Sequence, residues 1–311
     1  MLELCGSTSE LEVFDSQTLA QVIDFKWKAY ARNFMYMGCF FHFFYIFTIS
    51  VNVVEVFERV QTKNNALYQL LLGCGIVYPL LYDSAQLYYG GFKNYFSTFW
   101  NYTDFLFIWS GVASIVMQNI FDPFSVICKF LMIVTIFCAI FKTFFFLRIF
   151  SNLSYIVTMI TNVIFDLRIF GLFYAILIYL FSLMFGVLGI GNKLQPGVFK
   201  TFIDEEWEEG DDYPMQEYQF IGLPMGNIMN TLRMSLGDFD FDASLLLLPT
   251  ENYMFWVIWA VVVIVTCIIF LNFIIAEASA SYEDVKSRLD AMIVKERTLL
   301  VQESEEMLLK R

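Results

Sequence analysis

Six apolar runs, each long enough to cross a lipid bilayer, constrain this chain more than anything else in its sequence. They cover residues 34–54, 66–88, 98–118, 126–147, 167–190 and 253–276. A helix needs about 20 apolar residues, at 1.5 Å of rise each, to cross the hydrocarbon core. Lipid offers the backbone no hydrogen-bond partner, so each run is expected to satisfy its own peptide groups as a helix. The runs are continuous and lack the alternation of a membrane barrel. The expected fold is therefore an all-α membrane protein of six transmembrane helices. Composition agrees: 58% of residues are hydrophobic and 16% charged, more apolar than a soluble domain of this size needs. The second run carries Pro79 and Asp83 and is the least clean.

Basic residues set the expected orientation. Lys26, Lys28 and Arg32 precede the first run, Lys93 lies between the second and third, and Arg148 and Arg168 flank the linker after the fourth. All fall on one side, which puts both termini in the cytosol. Arg59 and Lys63 oppose this assignment and are offset by Glu55 and Glu58. The net charge of −12 comes mostly from two places, residues 204–212 and the tail after 276, and no basic surface for nucleic acid exists. Five of the six cysteines lie in apolar runs without metal-ligand spacing, where a small hydrophobe is the ordinary reading. No catalytic constellation is present, so an enzyme is not expected.

The organisation expected is a cytosolic segment (1–33), a four-helix sensor-like domain (34–148), an amphipathic linker helix (149–166), a two-helix pore domain (167–277) and a cytosolic C-terminal helix (278–311). In the linker, Leu153, Ile156, Val157, Ile160 and Ile164 recur at helical spacing with polar residues elsewhere, as in a helix lying at the interface. The connection after the fifth run is long and not uniformly polar. Residues 218–235 are moderately apolar yet too short to cross, which points to a re-entrant pore helix. Irregular backbone at membrane depth survives only where it lines a wet cavity.

Directly after that helix stands Leu236-Gly237-Asp238-Phe239-Asp240-Phe241-Asp242. Gly permits conformations that turn carbonyls to an axis, and an Asp from every subunit of a tetramer would make a charged ring that selects cations. The filter is expected at 236–240, with Asp238 in the ring and Asp240 and Asp242 at the mouth. Upstream, residues 204–212 hold seven acids in nine positions. They would concentrate cations near the mouth, or form a solvated loop, or both. In the last run Asn272 is a polar residue at membrane depth and is expected to face protein or a water-filled cavity. Ile275 and Ser279, one turn apart, would form an inner gate that closes by dewetting. The fourth run offers Lys129, Lys142 and Arg148 rather than a base at every third position, too few for a steep voltage sensor.

Asp83 and Gln86 share one helix face, as do Asn101 and Asp104, all at similar inner depth. Hard cations take such oxygen sets, so the four residues are a candidate site for a regulatory Ca2+. The alternative is that an Asp pairs with Lys142 while the amides cap helix ends. The charged tail places Leu289, Ile293, Leu300 and Met307 in a seam broken by Glu296 and Glu303, read as a solvated helix rather than a tetrameric bundle.

From about Asn94 to Leu289 the chain resembles the transmembrane region of transient receptor potential channels, most closely polycystin-like, with vanilloid-type features. The resemblance rests on FSTFWNYTDFLFI (96–108), DLRIFGLFYAILIYLFSLMFG (166–186), LRMSLGDFDF (232–241) and FLNFIIAEASASYEDVKSRL (270–289). It implies a filter at Leu236, Gly237 and Asp238 and a gate at Ile275 with Ser279. It also makes the Asp83, Gln86, Asn101 and Asp104 set similar to the calcium site of melastatin-type relatives, where Glu usually stands at the position of Asp83. Two departures stand out. Residues 55–65 are too few for the folded domain of polycystins, and the 33 residues before the first run cannot hold ankyrin repeats. That sensing equipment is missing, or the chain is the core of a longer protein. The expectation is a non-selective, Ca2+-permeable cation channel, a homotetramer or part of a heteromer, with membrane lipids as its other partners. The rivals are a non-conducting membrane scaffold and a single-repeat voltage-gated Na+ or Ca2+ channel. A potassium channel is disfavoured, since no Thr-Val-Gly-Tyr-Gly stretch occurs.

Overall fold

A computed structural model describes residues 11–60, 65–96, 99–190, 216–218, 220–239, 244, 247 and 249–309. The acidic run 204–212, Asp240, Asp242, Cys5 and Lys63 lie outside the described residues. The main helices are α1 (Gln17–Glu58), α2 (Asn65–Gly90), α3 (Phe99–Ile120), α4 (Val126–Leu147), α5 (Ser151–Val187), α6 (Leu223–Ser235), α7 (Pro249–Ser287) and α8 (Leu289–Leu309). Among the described residues, α1, α2, α4, α5 and α7 are long and apolar enough to cross a membrane. The third expected span does form as a helix, the 22-residue α3. Asn101, Thr103, Asp104, Ser110, Ser114 and Gln118 along it keep it outside that group.

Several boundaries differ from expectation. The first span starts at Gln17, and wide π-helical turns occupy Trp27–Ala31 and Val53–Glu58 within it. The linker helix and the fifth span are one continuous helix, α5. The tail breaks at Arg288 into the end of α7 and a separate α8.

The chain divides into two units, residues 1–160 with 286–311, and residues 161–285. In the first, α1 to α4 enclose a core of Tyr45, Ile49, Leu72, Ile76, Phe107, Ile108, Met132, Cys138 and Ala139. Without a hydrophobic drive between helices in lipid, close backbone approach and interhelical hydrogen bonds must hold such a bundle. Both are present. The Thr135 hydroxyl donates to Ser110 Oγ at 2.9 Å from α4 to α3. Gly75 of α2 lies so near α1 that a Cβ there would come within 2.4 Å of Thr48 Oγ1 and 2.8 Å of Tyr45 Cδ2. Pro79, one turn on, cannot donate to the Gly75 carbonyl. A second core joins Phe14, Ile23, Trp27, Ala31, Phe145 and Phe146 to Leu300 and Val301 of α8. The tail helix is thus packed rather than solvated, a correction to the sequence reading.

The second unit holds the rest of α5 with α6 and α7. Its core is Phe181, Phe185, Leu188, Ile190, Met234, Leu247, Phe255 and Val262. Tyr174 and Ser235 share a hydrogen bond at 2.5 Å, and the Ser281 hydroxyl donates to Asp166 at 2.5 Å. A π-helical stretch, Val263–Phe270, widens α7 just before Asn272.

The Gly75 contact generates a paired prediction. Gly75→Ala is expected to destabilise the bundle by about 1–3 kcal/mol through overpacking. Gly73→Ala, where nothing lies within 4 Å, is expected to be neutral or stabilising by up to about 1 kcal/mol. Thermal unfolding of the two variants in one detergent measures the difference, and equal midpoints would refute it.

Candidate functional site

The pore-segment candidates begin at α6. Gly222, with φ of 83°, leads into the helix, and Pro224 sits in the first turn, where its missing N–H costs nothing. The expected helix over 218–235 is observed from Leu223, preceded by a 3-10 turn at Gln216–Tyr218. Its C-terminus ends at Leu236, and Gly237 takes φ of 92°, a conformation strained for any residue with a Cβ. This turn swings Asp238 back, so that its backbone N–H donates to the Arg233 carbonyl at 3.0 Å. Leu236 is 62% exposed. The buried face of α6 is mostly polar or small, with Gly226, Asn227, Asn230, Thr231 and Ser235 beside Met234.

Arg233 was missed by the sequence reading. Its Nε donates to Asp238 Oδ2 at 2.7 Å, and its Nη1 donates to Glu217 at 2.8 Å and to the Tyr218 hydroxyl at 2.9 Å. These bonds, Asp238's first and Tyr218's next, raise the Arg233 pKa further. One guanidinium stands against two carboxylates, so the cluster stays net negative. The α6 C-terminus adds its own partial negative charge. The signal existed: a base in the last turn, five residues before an acid, across a Gly stop.

Of the gate candidates on α7, Ile275 is 56% exposed and Asn272 and Ser279 are exposed on the same helix face. Asn272 Nδ2 donates to the Ile268 carbonyl at 2.6 Å, and the Ser279 hydroxyl to the Ile275 carbonyl at 2.8 Å. One N–H of the Asn272 amide is therefore bonded within its own helix.

The first unit brings Asp83 and Asp104 to a common cavity, with Lys142, His42, Tyr82 and Glu303 among its lining. It has ≈ 40 Å³ of water-accessible space, room for about three or four waters at about 10–15 Å³ each. Lys142 Nζ donates to Asp104 Oδ2 at 2.5 Å, the side chains being 15% and 11% exposed. The ammonium also lies 4.7 Å from the Phe145 ring centroid. Asp83 accepts from the Tyr95 hydroxyl. Burial, and next that bond, push the Tyr95 phenol far above its usual pKa, so it remains a donor. Asn101 Nδ2 donates to the Tyr95 carbonyl at 2.8 Å, and Gln86 is half-buried. Of the four candidates, Asp83 and Asp104 line this cavity, and each already accepts one hydrogen bond, from Tyr95 and from Lys142. Among the described residues no three His, Cys, Asp or Glu side chains group to hold a metal.

Five helices long and apolar enough to cross a membrane, among the described residues, mark an integral membrane protein, and the short α6 ends in a Gly-Asp turn. The family described as ion transport protein matches residues 34–290, and the chain belongs to it. This is a family of channels, not of enzymes. No curated protein matches the chain.

The Lys142–Asp104 pair yields a prediction. Lys142→Met strands a buried carboxylate and is expected to cost about 3–5 kcal/mol. Adding Asp104→Asn should restore most of that loss. A double-mutant cycle by thermal unfolding in lipid nanodiscs measures it, and additive effects would mean the pair is not coupled.

Proposed function

We propose that the chain is a subunit of a non-selective, Ca2+-permeable cation channel of the transient receptor potential, polycystin-like kind. In this reading six-span subunits assemble as a tetramer, with both termini in the cytosol. The observation that carries it is Asp238, set just past the α6 C-terminus by the Gly237 turn with its side chain 59% exposed. Four such carboxylates around an axis would attract cations and repel anions. Glu217 on the shared guanidinium keeps each cluster negative. The exposed face of Asn272, Ile275 and Ser279, beyond the widened turn of α7, supplies the gate. Voltage sensing is weak in this reading, since Lys142 is paired with Asp104 and Arg148 with Glu296.

The test is single-channel recording of the purified protein in bilayers under Na+ and Ca2+ gradients. Asp238→Asn is expected to lower conductance and relative Ca2+ permeability severalfold. Arg233→Gln should act in the opposite direction, at a stability cost of about 1 kcal/mol or less for so exposed a pair. Unaltered currents in Asp238→Asn would remove it from the filter. Silence from a well-folded tetramer would turn the reading toward a non-conducting scaffold.

A further inference from the structure

Helix α8 follows α7 after Arg288 alone and is tied to the first unit by chemistry of two kinds. Leu300 and Val301 are buried against Phe14, Ile23, Trp27 and Phe146, with Thr298 and Ser304 fully buried beside them. Around this seam stand three acids. Glu296 accepts from Arg148 at 2.5 Å, and Glu305 accepts from Lys26 at 2.6 Å and from Tyr30. Glu303 differs: it lines the cavity and accepts from a phenol, Tyr82, at 2.7 Å.

The groups facing Glu303 come from every side of that cavity. They are His42 of α1, Tyr82 and Asp83 of α2, Asp104 of α3, Lys142 of α4 and Arg148 just beyond it. Lys142 is already committed to Asp104. The cavity therefore holds three carboxylates against one ammonium, in space for only a few waters. A proton on one of these carboxyls relieves that imbalance without displacing a side chain.

We propose that α8 is a proton-tuned latch on the four-helix unit, in which a proton on Glu303 tightens its seat and loss of that proton loosens it. The sign follows from linkage. Burial, the largest influence, raises the Glu303 pKa; Lys142, the Tyr82 hydrogen bond and Arg148 oppose it, and Asp104 adds to it. A carboxyl whose pKa is raised on seating binds its proton more tightly there. Its contribution to seating is complete below the ordinary carboxylate range and is lost as pH rises through the raised value. Glu305 acts in a separate window. Burial raises it, but the Lys26 and Tyr30 hydrogen bonds bring its pKa below the ordinary value. Its contribution is lost only as pH falls below that range.

Hydrogen exchange of the full chain in nanodiscs, corrected for intrinsic rates, reads the seat of α8 directly. As pH falls from neutral toward about 4.5, wild-type α8 is expected to gain protection, its docking constant rising by up to about tenfold per pH unit within the window. Glu303→Gln mimics the protonated acid and should be flat, at the wild-type acid level. Tyr82→Phe removes a donor that favours the ionised form, so its transition should move to higher pH. Flat protection in the wild type, or a wild-type slope retained in Glu303→Gln, would overturn the proposal. So would an unmoved transition in Tyr82→Phe, which also decides the matter if Glu303→Gln does not fold.

Discussion

Lys142 and Asp104 face each other from α4 and α3 where water is nearly excluded, and the arrangement of the four-helix unit follows from that pairing. A lone charge at such a place costs several kcal/mol, so neither residue is tolerable without the other. Once the ammonium is spent on Asp104, Asp83 must find a neutral donor, and Tyr95 supplies it. Glu303, entering from α8, meets the same shortage of positive charge and takes Tyr82. The Phe145 and Phe146 rings lie beside the ammonium and accommodate it. Buried hydrogen-bonded networks of this kind are high in stakes, because each member left unpaired costs more than a made bond returns.

The spans were legible because apolar length has one physical meaning in lipid, and α2, α4 and α7 contain the runs expected for them. The division of α5 was not sound even in sequence: Asp166-Leu167-Arg168 contains no Pro or Gly to stop a helix, and polarity alone does not end one. The tail shows a different failure. A seam of large residues was sought, yet α8 buries Ala291, Thr298 and Ser304 beside Leu300 and Val301. Close helix approach selects small side chains, which a search for large apolar residues passes over. In the candidate sites, local relations such as Arg233 to Asp238 were within reach of sequence reasoning. Tyr82 and Glu303, 221 residues apart, were not, since nothing in the composition of either segment names the other.

The acids near these helices divide by what their partners leave free. Asp104 is 11% exposed and locked to an ammonium, and Asp83 is buried under a phenol. Both are largely hidden from solvent. Asp238 accepts a single guanidinium bond, and that guanidinium is shared with Glu217. A carboxylate offers about four lone-pair sites, so most of its capacity remains directed outward, at the end of a helix whose last carbonyls are also negative. The Gly237 turn is what makes this possible, because it carries Asp238 past the helix end while its backbone stays anchored to Arg233. Arg233 thus does two opposing things: it fixes where the acid stands and lowers the charge the acid presents. A residue kept for stability alone would be better served by complete neutralisation. In the proposed channel, a partial balance with exposure retained suits a site that must attract cations and release them.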